Sequence, residues 1–193
     1  MVGMNADPEE LLLTCGAVRD LTDLQLRTLC ALYDRVWPPS GETLVERREA
    51  ARADWGGEAR QFAALWSGDA LRAVAMWFPR IVRTANGPLR VQALAGVCSD
   101  PEVRGRGLGR RVVRAAFGAV DRGEYAVALF QTPVPEFYAK LGARPVVNGF
   151  RNSRFKAGDR GTAERPWWDP HVMIYPAGFP WPEGPIDLLG PGY

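Results

Sequence analysis

Apolar residues recur at helical spacing over 20–37, where Leu21, Leu24, Leu29 and Leu32 fall near one face. Thr22 or Asp20 supplies a cap, and Pro38-Pro39 stops the helix. A second, charged helix is expected over 42–55, ended by Gly56-Gly57. The pattern then changes. Segments 59–67, 70–84 and 88–100 read as strands, joined by turns at Ser67-Gly68-Asp69 and at Asn86-Gly87, a favoured hairpin dipeptide. Leu108, Val112, Ala115, Ala116, Ala119 and Val120 predict a helix over about 107–122. The almost wholly apolar YAVALFQ, 125–131, is expected of a strand buried on both faces. PEFYAKLG, 135–142, predicts a short helix closed by Gly142, and ARPVV (143–147) and HVMIYP (171–176) supply two last strands. This order predicts one α/β domain over 1–193, a mixed central sheet flanked by helices.

Composition adds limits. A chain of 193 residues, 47% hydrophobic and 24% charged, buries roughly two-thirds of its unfolded surface without disulfide staples. A net charge of +2 does not mark a nucleic-acid binder. Cys15, Cys30 and Cys98 match neither a zinc-ligand pair nor a redox pair, so no metal is expected and they read as small hydrophobes in a reducing cytosol. No basic-then-apolar leader opens the chain, and no apolar run approaches the ~18 residues that span a bilayer. The expectation is a cytoplasmic protein without a membrane partner. Prolines bar a helix from the Trp- and Pro-rich stretch 165–193, while its aromatics oppose disorder. The C-terminal segment, 148–193, is expected to run extended and wrap over the domain surface.

Candidate chemistry begins at VRGRGLGRRV, 103–112, with three glycines and four arginines between a strand and a helix. Such a turn offers backbone N–H groups to an anion at a helix N-terminus. A P-loop needs Gly-Lys-Ser/Thr, yet Arg110-Arg111 follow Gly109; a dinucleotide fingerprint needs G-x-G-x-x-G, and this turn is G-x-G-x-G. Arg104-x-x-Gly107-x-Gly109 resembles the R/Q-x-x-G-x-G/A signature of the GNAT (Gcn5-related) N-acetyltransferase superfamily. LFQTPVPEFYAKLGARPV, 129–146, resembles that family's later motif, with Phe137, Tyr138, Lys140, Leu141, Gly142 and Ala143 in register. The resemblance covers 88–146 as motif and roughly 20–147 as an order of elements.

The resemblance implies a GNAT-like acyl-CoA N-acyltransferase fold and acetyl-CoA (coenzyme A) as cofactor. It places the diphosphate on the amides of Arg104, Gly105, Arg106, Gly107, Leu108, Gly109 and Arg110, with the arginines and Arg111 as candidate charge partners. It places the pantetheine arm and acetyl oxygen at Val97, Cys98 and Ser99, through backbone rather than sulfur, on a strand that splays after a bulge. Gln131 stands where relatives contact the cofactor arm, and Tyr138 is the candidate general acid, with Phe137 as its core-packing neighbour. The strand RVQALAGVCS carries no carboxylate, so the base stays open among a water chain, Glu46, Glu49, Asp54, Asp187, His171 and the Tyr193 carboxylate. His171 reads as structural or surface, in a strand far along the sequence from the motifs. Trp37, Trp55, Trp167, Trp168, Trp181 and Tyr193 either line an aromatic cleft for a partly apolar amine or glue the tail down. The tail weakly resembles the end of aminoglycoside 2′-N-acetyltransferases. Two readings follow: an N-acetyltransferase for a small-molecule or peptide amine, acting by direct attack in a ternary complex, or a non-catalytic acyl-CoA-binding or partner-binding module. Monomer and homodimer are both open.

Overall fold

The computed structural model describes residues 10–38 and 59–193. The helix expected over 42–55, with Glu46, Glu49, Asp54 and Trp55, lies outside the described residues. The architecture is mixed α/β, in two compact units: Met1–Ala75 with Val97–Val113, and Met76–Gly96 with Arg114–Tyr193.

The first unit opens with a strand that the hydrophobic pattern does not announce, β1 (Leu12–Ala17). Its two leucines are exposed, and it exists by pairing antiparallel with β2 (Gln61–Ser67), from Leu12–Trp66 to Ala17–Gln61. Helix α1 (Asp23–Val36) follows. Thr22 is its cap: Thr22 Oγ1 accepts from the Gln25 amide and Gln25 Oε1 from the Thr22 amide, satisfying two otherwise orphaned donors. Leu24 faces solvent; Leu26, Leu29, Cys30 and Leu32 form the buried stripe, shifting the expected face by part of a turn. β2 turns at Gly68, with φ +55°, into β3 (Ala70–Thr84), whose first residues complete this unit's pairing order β1-β2-β3.

The second unit takes the rest of β3 through the Asn86 turn into β4 (Gly87–Ser99), and pairs in the order β3-β4-β5-β8-β6. Here β5 is Ala128–Thr132, β6 Arg144–Val146 and β8 His171–Tyr175. β5 starts three residues later than the apolar run predicts. β5 and β8 are antiparallel, as are β6 and β8. Two-residue strands β7 (Phe150–Arg151) and β9 (Ile186–Asp187) pair in parallel, and β9 also meets β3 at Arg83. Helix α2 (Leu108–Asp121), whose residues up to Val113 belong to the first unit, buries Leu108, Val112, Val113, Ala116, Phe117, Ala119 and Val120; α3 (Pro135–Ala139) is a single turn or so, followed by Gly142 at φ +92°.

Within the C-terminal segment, the strand expected over 171–176 forms as β8. β8 inserts between β5 and β6, and Ile186 and Leu188 join Val82, Val91, Val127, Leu129 and Ile174 in the core. Prolines cut this segment into short strands but do not forbid pairing at sheet edges, where β6 carries Pro145. No helix among the described residues is long and apolar enough to cross a membrane.

Candidate active site

In the first unit, β4 ends at Ser99 and Asp100 starts a short 3-10 turn, Pro101–Val103. Asp100 is buried. Its Oδ1 accepts from the Glu102 amide at 3.2 Å, and its Oδ2 meets Arg35 of α1 at 3.1 Å and Arg72 of β3 at 3.4 Å. Gly105 and Gly107 then adopt left-handed φ of +82° and +77°. A Cβ added at either would meet nothing within 4 Å, so the turn presents bare backbone to open space. Leu108 begins α2, and its buried side chain anchors the turn. Arg104, Arg106, Arg110 and Arg111 are exposed. The first turn of α2 contains no acidic residue, although a helix N-terminus favours one. Bare amides, a helix dipole and four exposed arginines in and beside the turn together suit a diphosphate, so the residues present fit the nucleotide end of coenzyme A.

Just before the turn lie Val97, Cys98 and Ser99. Burial pushes the Cys98 thiol up to about 12, against smaller lowering by Arg104 and Arg35, while Asp100 adds to the rise. The thiol is therefore neutral near pH 7 and a poor nucleophile.

In the second unit, β4 and β5 pair in parallel only at Gln92–Ala128 and Ala93–Leu129. Both strands continue beyond that ladder, and β4 passes through Gly96 at φ +58°, the local irregularity expected of a bulge. Gln131 sits near the end of β5. Its Oε1 accepts from the amides of Trp168 (2.9 Å) and Asp169 (2.8 Å), and its Nε2 donates to the Tyr193 main-chain oxygen at 3.0 Å. Its amide is thus engaged by the C-terminal segment. Tyr138, on α3, is buried against Phe130 and edge-on to Phe137, with ring centroids at 4.6 and 4.8 Å. Tyr138, not Phe137, is the more buried of the pair, because Tyr138 faces the sheet. Burial first, and the Asp169 carboxylate second, drive its phenol well above the usual range, so it holds its proton.

The other candidates separate clearly. Asp187 is buried and committed: its Oδ1 accepts from the Ser153 and Leu189 amides at 3.0 Å each. His171, far along the sequence, lies opposite Thr132 in the β5–β8 ladder, one residue past Gln131, with an exposed side chain. Trp167 and Tyr193 pack edge-on at 4.9 Å, and both, like Trp181, lie against the core cluster of this unit; Trp181 also lines an open groove of about 610 Å³ beside β6 and donates to Asn148 Oδ1. Asp169 lies outside every motif; the Gln131 clasp and the β5–β8 ladder bring its backbone to the end of β5.

A family model described as "Acetyltransferase (GNAT) domain" matches residues 17–146. Among solved structures, the chain resembles a GNAT family N-acetyltransferase (YhbS) from Escherichia coli in complex with CoA, at TM-score 0.61 and 17% identity, covering 95% of this chain and 92% of that one. An acyl-CoA N-acyltransferase from Pseudomonas aeruginosa gives TM-score 0.57 at 18% identity, covering 86% and 98%. A GCN5-related N-acetyltransferase from Kribbella flavida gives 0.57 at 21% identity over 70% of this chain, which spans only 33% of that longer one. No curated protein matches the chain.

Proposed function

Because this chain belongs to the GNAT acetyltransferase family, we propose that it moves an acetyl group from acetyl-CoA to a primary amine of a small molecule or peptide, by direct attack in a ternary complex. The observation that carries this reading is the turn at Gly105 and Gly107: left-handed, open in front, and leading into a helix whose first turn is cationic. The amides of Arg104 to Arg110 hold the diphosphate, with Arg104, Arg106 and Arg110 adding charge. Bound acetyl-CoA supplies the activated thioester. The backbone at Val97, Cys98 and Ser99 receives the arm and polarises the acyl oxygen; the neutral Cys98 thiol argues against a covalent acyl-cysteine. Tyr138, still protonated near pH 7, donates to the departing sulfur. Gln131 acts by holding the C-terminal segment rather than by contacting the cofactor.

One observation favours the second reading, a non-catalytic acyl-CoA-binding module: β4 carries no carboxylate. Calorimetry tests the cofactor site that both readings share, and thiol release separates them. Isothermal calorimetry with acetyl-CoA is expected to show binding that Gly107→Trp weakens by at least about 100-fold, since the indole fills the space an anion needs. Circular dichroism of the variant should stay native, and unchanged affinity would refute the anion site. Thiol release that depends on added amine, and drops in Tyr138→Phe, supports the enzyme; binding without turnover on any amine supports the module.

A further inference from the structure

Gln131 holds three pieces of chain with one side chain. Its Oε1 accepts from the amides of Trp168 at 2.9 Å and Asp169 at 2.8 Å, and its Nε2 donates to the Tyr193 main-chain oxygen at 3.0 Å. Among the described residues that one oxygen is the only partner of both amides. On either side of the clasp other contacts take over. Trp167 packs edge-on against Phe150 and Tyr193, at 5.7 and 4.9 Å, and β8 begins at His171, opposite Thr132. Between these two anchors, Gln131 fixes the backbone of Trp168 and Asp169.

The adjacent tryptophans therefore differ. Trp167 lies against the core cluster, whereas the Trp168 ring is 38% exposed, with the Arg160 guanidinium 4.2 Å from its centroid. That ring is held through its backbone and covered by a guanidinium, yet it stays open to solvent, so a ligand meeting it pays little to order it. Its place in the sheet gives the contact a meaning. Gln131 stands two residues past Leu129, the last β5 residue paired with β4, and beyond Leu129 the two parallel strands form no further pair. Open α/β sheets take their ligands at the carboxyl ends of such strands. Phe130, the residue before Gln131, packs against Tyr138 with ring centroids 4.6 Å apart. Neighbouring side chains of a strand point to opposite faces, so the end of β5 carries the proposed acid on one face and the clasp on the other.

Resting on the acetyltransferase reading above, we propose that Gln131 is a positioning residue for the acceptor and acts through Trp168. The clasp sets the Trp168 ring at the carboxyl end of β5, where the ring meets the apolar body of the incoming amine. Gln131 itself touches neither amine nor cofactor. Loss of the clasp leaves the chemistry in place and loosens recognition. It raises KM for an amine with an apolar body, spares kcat, and does not alter the use of an amine too small to cover the ring.

The test uses full-length protein, acetyl-CoA and two amines, 2-phenylethylamine and ethylamine. Gln131→Met keeps the length of the side chain and removes its acceptor and its donor. Hydrogen exchange should find the Trp168 and Asp169 amides at least about tenfold faster in Gln131→Met than in the native protein. KM for 2-phenylethylamine should rise about tenfold with kcat within about twofold, in the range of one apolar contact with a substrate. Both kcat/KM for ethylamine and the calorimetric Kd for acetyl-CoA should stay within about twofold. Trp168→Leu alters an exposed ring, so it tests the contact even where Gln131→Met folds poorly, and it should reproduce the KM rise. The double variant should be no worse than Trp168→Leu alone, because residues that act through one another are not additive. An unchanged KM, a loss carried by kcat, additive losses in the double variant, or native amides that already exchange freely would each overturn the proposal. Acetyl-CoA bound with no turnover of either amine would overturn it too. Failure to bind acetyl-CoA at all would instead sink the underlying acetyltransferase reading.

Discussion

Arg110 and Arg111 occupy the first turn of α2, where the helix's own field favours anions and a cation costs about 0.3–1 kcal/mol. A fold selected for stability alone would place Asp or Glu there. The same logic, read in reverse, explains Asp187. Burial works against its charge, yet the Ser153 and Leu189 amides and the Arg151 guanidinium at 3.5 Å outweigh that, and its carboxyl lies below the usual range. A depressed carboxyl stabilises the fold above its unfolded pKa of about 3.9 and loses that stabilisation as pH falls through the lower folded value. Asp187→Asn is therefore expected to cost about 2 kcal/mol in urea unfolding at pH 7. The gap to native protein should narrow only below about pH 4. A gap already closing at pH 6 would show that another group sets the dependence.

At the scale of elements, Asp100 ties three of them together: α1 through Arg35, β3 through Arg72, and the 3-10 turn that leads into the glycine turn. Asp100→Ala removes the buried carboxylate that Arg35 and Arg72 share and should destabilise the protein by about 2 kcal/mol, the solvent-accessible Arg35 softening the loss. The turn loses its preset geometry as well, so the acetyl-CoA Kd should rise about fivefold, equivalent to about 1 kcal/mol of ordering. Calorimetry reads the second effect apart from the first; an unchanged Kd would confine Asp100 to stability. Legibility in the sequence differs by element for physical reasons. α2 and the β2–β3 and β3–β4 hairpins were readable because their periodicity and turn glycines are local. β1 was not, because its exposed Leu12 and Leu13 break the inside-outside alternation and its strand character comes from distant pairing with β2, Leu12 opposite Trp66. β7 and β9, two residues each, carry no period at all.

At the scale of the whole molecule, the site was half readable. The turn and Tyr138 sit in motifs whose spacing is set by backbone chemistry, whereas Asp169 depends on a clasp from Gln131, 38 residues earlier. The same is true of the C-terminal segment: composition predicts it extended, but only tertiary structure makes it core. Arg80 donates to the Leu188 and Pro191 carbonyls at 3.2 and 3.0 Å, and its guanidinium lies 5.7 Å from the Tyr193 ring centroid. That ring meets Phe78 and Trp167 edge-on. Gly192 has no room for a Cβ, which would collide with the Pro166 carbonyl. Tyr193→Ala should therefore cost about 3 kcal/mol, as for other large aromatic truncations in cores. For a chain of this length that lowers Tm by roughly 6–12 °C. Tyr193→Phe separates packing from polarity. The hydroxyl is buried with no partner, so removing it deletes a desolvated group and no bond. Scanning calorimetry should find Tyr193→Phe at least as stable as the native protein. A Tm well below native would mean that the hydroxyl is matched in solution.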